Sequence, residues 1–287
     1  MQTAPTIQIN AAATRRRIAA LRQYVEGNLL RRDQFVCPHY DECLRSRRPG
    51  DEFREGTMSH VGKHYDLRLD GQPLRIVVVG QESGWPKDAH GQLFARRVTL
   101  DDRYKQVHDV SGIQRRYYAE SGFPGRNPHM RGTTSALRVL LGKELGSDYD
   151  GEVVRPANGR PFHLFDAFAL VNRLLCSAGP AHSSQGHPTR TMLSNCDIHF
   201  GATMRILEPT LVILQGKAVA KWARGVLAPG RAHSEHLHEA QVGHRRVLVC
   251  TFSHPSAHGP LRWGDRPDAP YLIDVVVPTL RQALARA

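Results

Sequence analysis

Four short apolar runs, Leu74-Arg75-Ile76-Val77-Val78-Val79, Leu164 to Val171, Leu211 to Leu214 and Val247 to Phe252, each stop at a small cluster of polar residues. Their length and their Val, Ile and Leu content predict buried strands. After the strands, helical patterns run at about Thr134 to Leu145, Thr189 to Leu207, Lys217 to Val226 and Ile273 to Ala285. Strands alternating with helices predict parallel pairing with both faces covered. The expected fold is α/β: a three-layer α/β/α sandwich around a central four-stranded parallel sheet. Ligands of such sheets sit at the carboxyl ends of the strands, which brings Glu82, Asn172, Gly216 and His254 toward one crevice.

The rest of the chain is read against that scaffold as a single domain over residues 1–287. Residues 11–34 carry Ile18, Leu21, Val25 and Leu29 at helical spacing beside Arg15, Arg16, Arg17, Arg31 and Arg32, a leading basic helix. A polar stretch, Arg45 to Gly56, separates it from the first strand. Asp101 to Arg131, with Arg115-Arg116-Tyr117-Tyr118, and the His-rich Ala228 to His244 are read as excursions from the scaffold, the first as an inserted segment. His233, His236, His238 and His244 match no standard metal-ligand spacing, so a solvated hairpin is expected there.

Charge narrows the partner. A formal net charge of +12 and an isoelectric point near 9.9 suit a polyanion, and also an anionic membrane surface. No apolar run is long enough to span a bilayer, and Met1 to Ala13 has no signal-like apolar core, so a soluble, cytoplasmic protein is expected. Five cysteines point to ligation or burial before disulfides. No G-x-G-x-x-G or P-loop follows a strand, which argues against an ordinary nucleotide-binding enzyme.

Four elements in order carry a more specific resemblance: Gly80-Gln81-Glu82-Ser83-Gly84, Asn172-Arg173-Leu174-Leu175-Cys176, the stretch from Pro188 through Cys196 to Trp222, and His254-Pro255-Ser256-Ala257. From about Cys37 onward the chain resembles the uracil-DNA glycosylase superfamily, in layout most of all the iron–sulfur family 4 enzymes. Gly80 to Gly84 resembles the family 4 GEAPG loop, and its Gln81-Glu82 the GQDPY loop of family 1. Family 4 has its acid at the place of Gln81, family 1 at that of Glu82. Ala89 to Phe94 resembles the segment that brings a base-stacking Phe to the pocket. Asn172 to Cys176 keeps the spacing of N-x-x-K-C without its Lys.

The resemblance implies a DNA glycosylase that flips a pyrimidine out of the stack and hydrolyses its N-glycosidic bond. Glu82 is the expected carboxylate that orients water and stabilises the cationic sugar, since an amide at Gln81 supplies no negative charge. The plainer alternative is a loop carboxylate paired with an arginine. His254 is expected to donate to O2 of the leaving base, Asn172 to read its polar edge, and Phe94 to stack on it, with Gln81 and Gly84 beside the substrate. Gly84 stands where family 1 has a Tyr wall against C5 substituents. The expected substrate is therefore uracil or a C5-modified pyrimidine, including hypermodified cytosine of phage DNA, which would make the role one of defence.

Cys37, Cys43, Cys176 and Cys196 fall where the family 4 cluster ligands stand, implying a [4Fe–4S] cluster, with structural zinc as the alternative. The first pair is Cys37-x5-Cys43 here against C-x2-C in the family. Cys250 reads as core. After His254, Ser256, His258, Leu261 and Arg262 are expected against DNA, with His258 or Leu261 as the wedge and Trp263 either stacking or packing inward. Lys217, opening a helix after Gly216, adds a phosphate contact. The expected partner is DNA, bound by a monomer without a membrane. The competing expectation is a non-catalytic or covalently trapping DNA binder.

Overall fold

The computed structural model describes residues 5–31, 34–35, 37–55, 58–82, 126–180 and 186–287; the side chains at 30, 31, 34, 35, 55 and 82 lie outside that description. The chain is mixed α/β around a six-stranded, mostly parallel sheet. In chain order its strands are β1 (His60–Val61), β2 (Ile76–Glu82), β3 (Phe168–Leu174), β4 (Leu211–Gln215), β5 (Leu237–Val242) and β6 (Arg245–Phe252). They lie side by side as β5-β6-β4-β2-β3-β1. The inner four, β6, β4, β2 and β3, are mutually parallel; β4 and β6 contain the runs Leu211 to Leu214 and Val247 to Phe252, and β2 and β3 take up the later parts of Leu74 to Val79 and Leu164 to Val171. Antiparallel β5 and β1 extend the sheet at its two edges, so it is wider than the expected four strands.

Alternation along β2 explains the layers. Ile76, Val77, Val78 and Val79 are all fully buried, yet successive side chains of a strand point to opposite faces. Ile76 and Val78 join a core with Leu137 and Leu140 of helix α3 (Pro128–Leu140) and Leu280 of α6 (Val277–Leu284). Val77 and Val79 join another, with Phe200 and Met204 of α4 (Arg190–Leu207) and Val219 and Ala223 of α5 (Lys217–Ala223). Helices therefore cover both faces. Each such aliphatic side chain contributes roughly 1.5–3 kcal/mol on burial. A third cluster, under α1 (Ala11–Asn28), gathers Val25 and Leu29 with four of the cysteines.

Several boundaries differ from the expectations, each for a local reason. Leu164–Asp166 form a 3-10 turn, and the strand begins at Phe168. α1 ends at Asn28, and a tight ribbon, Leu30–Arg31 against Gln34–Phe35, follows it. Within the polar stretch 45–56, Glu52–Glu55 pairs with Cys176–Gly179. α3 starts at Pro128, well before Thr134, because Asn127 caps it by accepting from the Met130 N–H and proline suits a first helical position. Residues 126–131 thus belong to the scaffold, while 101–125 lie outside the described residues. Ala228 to His244 is scaffold too in its second half, since Leu237, Ala240 and Val242 of β5 are buried. The C-terminal helix opens as a π turn, Leu272–Val276, just before Pro278, which has no N–H to give an α-helical ladder.

A buried ionic cluster fixes the start of α3. Glu152 is 1% exposed and accepts from Arg126 Nη1 at 2.7 Å and His163 Nε2 at 2.8 Å. His163 Nδ1 accepts from the Phe165 N–H, so its proton is on Nε2, facing the carboxylate. Among the described residues no helix is long and apolar enough to cross a membrane.

Candidate functional site

The carboxyl ends of the four parallel strands form one edge. In β2 and β3, Gly80 lies opposite Asn172, and Glu82 opposite Leu174. In β4 and β6, Gln215 lies opposite Phe252, and the Gly216 N–H donates to the Phe252 carbonyl at 2.9 Å, continuing the ladder to within two residues of His254. The backbone of Glu82 and the residue His254 therefore stand at the same edge with only β4 between their strands, about 10 Å from strand to strand. Asn172 is half-buried over Gly80, where a Cβ would sit 3.7 Å from its Oδ1. Gln81 is also half-buried. The Glu82 side chain, Gly84 and Phe94 lie outside the described residues.

His254 has a defined tautomer. The Ser256 N–H donates to its Nδ1 at 3.1 Å, and a backbone N–H has only a proton to offer, so the imidazole proton is on Nε2. Its edge reaches solvent, while the surrounding protein lowers its pKa from the usual histidine range through desolvation. Over it lies His129, from the first turn of α3, the two rings stacked at 5.3 Å and 13°. Burial, and then the proximity of His254, push His129 down to about 4, with Gln215 pulling the other way. Gln215 is fully buried and donates from Nε2 to Thr133 Oγ1 at 3.0 Å; Thr133 in turn donates to the His129 carbonyl at 3.0 Å.

Two glycines seat the loop after His254 on α3. A Cβ on Gly264 would stand 1.9 Å from the Pro128 carbonyl oxygen, and one on Gly132 2.7 Å from Pro255 Cβ. Trp263 is fully buried and donates from Nε1 to the Ser253 carbonyl at 2.8 Å, so of its two expected placements it takes the inward one. His258, Leu261 and Arg262 are exposed on the same loop, with Arg262 ion-paired to Asp265; Ser256 is half-buried, its N–H used by His254. Lys217 is exposed at the start of α5, a helix of seven residues.

The cysteines gather elsewhere. Cys37, Cys43, Cys176 and Cys196 are all buried in the cluster under α1, and Cys43 lies in a short helix, α2 (Tyr40–Arg45), which takes up the longer spacing of the first pair. Among the described residues, all five cysteines included, no disulfide forms. Burial raises the Cys37 and Cys43 thiols and pushes Cys196 up to about 11. Two donors oppose it: the His39 N–H, 3.5 Å from Cys37 Sγ, and Asn195 Nδ2, 3.5 Å from Cys43 Sγ. His199 Nε2 lies 3.4 Å from Cys37 Sγ, as donor or acceptor according to its tautomer. The Leu175 backbone and the Arg173 guanidinium favour the Cys196 thiolate. Arg173, two places before Leu175 where the resembled motif has its Lys, is 1% exposed and ion-paired to Asp197. No group of three or more His, Cys, Asp or Glu among the described residues is arranged to hold a single metal ion. Donors aimed at buried sulfurs suit ligands that carry negative charge, and in this respect Cys37, Cys43 and Cys196 fit a thiolate-bound group.

Cys250 stands apart, fully buried within β6. Two of the histidines of 233–244 have partners of their own: His233 Nε2 meets Glu239 at 2.9 Å and His236 Nδ1 meets the Thr251 carbonyl at 3.1 Å.

Sequence reasoning missed His129, Gln215, Tyr24 and His199. The Asn127-Pro128 helix start was a usable signal for His129, and the i, i+3 spacing of Cys196 and His199 for the latter. Comparison with protein-family models and with curated proteins finds no match for this chain.

Proposed function

We propose that this chain is a monofunctional DNA glycosylase that hydrolyses the N-glycosidic bond of a flipped pyrimidine, uracil or one modified at C5, and leaves an abasic site. The observation that carries the reading is His254: an imidazole at the carboxyl edge of the sheet, its Nδ1 occupied by the Ser256 N–H and its Nε2–H free of that contact to donate. A donor of this kind suits the O2 of a departing base, on which negative charge accumulates as the C1′–N1 bond breaks. A lowered pKa and a stacked neutral imidazole favour the uncharged ring, which donates without first taking up a proton.

Glu82 is assigned the opposite side of the sugar. Its backbone stands at the same sheet edge, and a carboxylate there orients water and favours the oxocarbenium-like C1′. Asn172 is assigned the polar edge of the base; its amide offers a donor and an acceptor, which suits O4 and N3–H of uracil and, rotated, the N3 and amino group of cytosine. The exposed His258, Leu261 and Arg262 are assigned to the DNA, and the net charge of +12 supports that partner. Cys37, Cys43, Cys176 and Cys196 are assigned to a [4Fe–4S] cluster. When bound, the cluster braces the segments around α1, α2 and α4 and takes no part in hydrolysis.

Mass analysis of what the purified protein releases from uracil-containing and C5-modified DNAs tests this function. A free pyrimidine is the expected product, and its identity decides between repair of uracil and attack on modified DNA.

A further inference from the structure

We propose that Tyr24 and His199 form a hydrogen-bond relay onto the Cys37 sulfur that sets the reduction potential of the cluster held there. The inference rests on the cluster assignment above and goes beyond it, because it gives a role to two residues outside the four thiolates.

The geometry is a chain of two contacts. Tyr24, on α1, places its hydroxyl 3.0 Å from His199 Nδ1, and His199, on α4, places Nε2 3.4 Å from Cys37 Sγ. His199 is 4% exposed, and the two rings meet edge to face at 6.1 Å and 65°. Two proton arrangements satisfy the Tyr–His contact. If Nδ1 carries the proton, a bare Nε2 lone pair faces the sulfur, which only a thiol S–H can meet. A thiolate has no proton, so it selects the other arrangement: Tyr24 O–H donates to Nδ1 and Nε2–H donates to Cys37.

Burial favours the neutral thiols, and the donors aimed at the sulfurs oppose it. A neutral thiol is a weak acceptor, and a buried imidazole N–H aimed at one is poorly satisfied. Yet Cys37 also receives the His39 N–H and Cys43 the Asn195 amide, so donors converge on two sulfurs of the first pair. Negative sulfurs repay that arrangement. Donors to cluster sulfurs withdraw charge from them and favour the reduced, more negative state, raising the potential. The relay also ties α1 and α4 to the corner where the spacing Cys37-x5-Cys43 departs from C-x2-C.

The test uses full-length protein purified anaerobically, with iron and acid-labile sulfide measured and the midpoint potential taken by an EPR-monitored redox titration. His199→Leu removes the donor and Tyr24→Phe releases the tautomer. The expected result is a lower potential in His199→Leu and a smaller fall in Tyr24→Phe. Should His199→Leu not retain its cluster, Tyr24→Phe, which keeps the imidazole, carries the test. Unchanged potentials in cluster-bearing variants overturn the relay alone. A nitrogen coupling from His199 in pulsed EPR makes the imidazole an iron ligand and overturns its role as donor. Wild-type protein without iron and sulfide overturns the cluster assignment itself, and the relay with it.

Discussion

His129 and His254 stack ring on ring, 5.3 Å apart and 13° from parallel, although 125 residues separate them in the chain. Two imidazoles so placed do not both hold a proton cheaply, and burial lowers both, His129 down to about 4. His129→Ala opens the site to water. The His254 pKa is then expected to rise toward the unperturbed value of about 6.5, whereas His129→Phe, which keeps a stacked ring, holds it low. NMR titration of the His254 imidazole measures both, independently of any activity.

Glu152 makes a different prediction, about stability. Its carboxylate is buried, which alone raises its pKa, but His163 and Arg126 more than offset this and the net shift is downward. A carboxylate with a lowered folded pKa stabilises the protein above its unfolded pKa of about 4.3 and loses that contribution as pH falls through the folded value. Glu152→Ala leaves Arg126 and His163 buried without their carboxylate and is expected to cost about 3–5 kcal/mol in urea unfolding at neutral pH. The cost is expected to shrink in strongly acid solution, where the wild-type carboxylate is also protonated.

Gly264→Ala tests the seating of the His254 loop. With the new methyl group 1.9 Å from the Pro128 carbonyl, backbone must move. A loss of about 1–3 kcal/mol is expected from thermal melts, together with a shift in the His254 and His129 ring resonances. Gly243→Ala, with φ +59 but nothing within 4 Å of the new Cβ, is expected to leave those resonances in place.

The cysteines divide into two groups. Cys176→Ser is expected to lower iron and sulfide content, while Cys250→Ala, in the core of β6 away from the other four, is expected to retain both. Metal analysis and an ultraviolet–visible spectrum after anaerobic purification distinguish them.

The inner strands were legible because burial on both faces writes a run such as Val77-Val78-Val79 directly into the sequence. The edge strands were not. β5 sends Leu237 to one core and Ala240 and Val242 to the other, with His238, Glu239 and Gln241 between, a broken pattern that a neighbouring strand has to complete, and β1 is two residues long. In the candidate site, His254 was legible from its place after a strand and its Pro-Ser sequel. His129 was hidden because its meeting with His254 depends on where α3 begins, and Asn127-Pro128 moved that start ahead of the first strongly apolar residues. His199 was hidden because a single histidine in a helix acquires meaning only when α1 and Cys37 are packed on it.

The sharpest test of the proposed hydrolysis compares wild type, Glu82→Gln and His254→Ala for free base released from uracil-containing and C5-modified DNA, with DNA binding measured in parallel. Wild type is expected to release one class of pyrimidine, and each variant to bind DNA while releasing base about 10²–10⁴-fold more slowly. Wild-type protein that binds DNA but frees no base from any of these substrates, or variants that release it undiminished, would contradict the assignment of Glu82 and His254 to the two sides of one glycosidic bond.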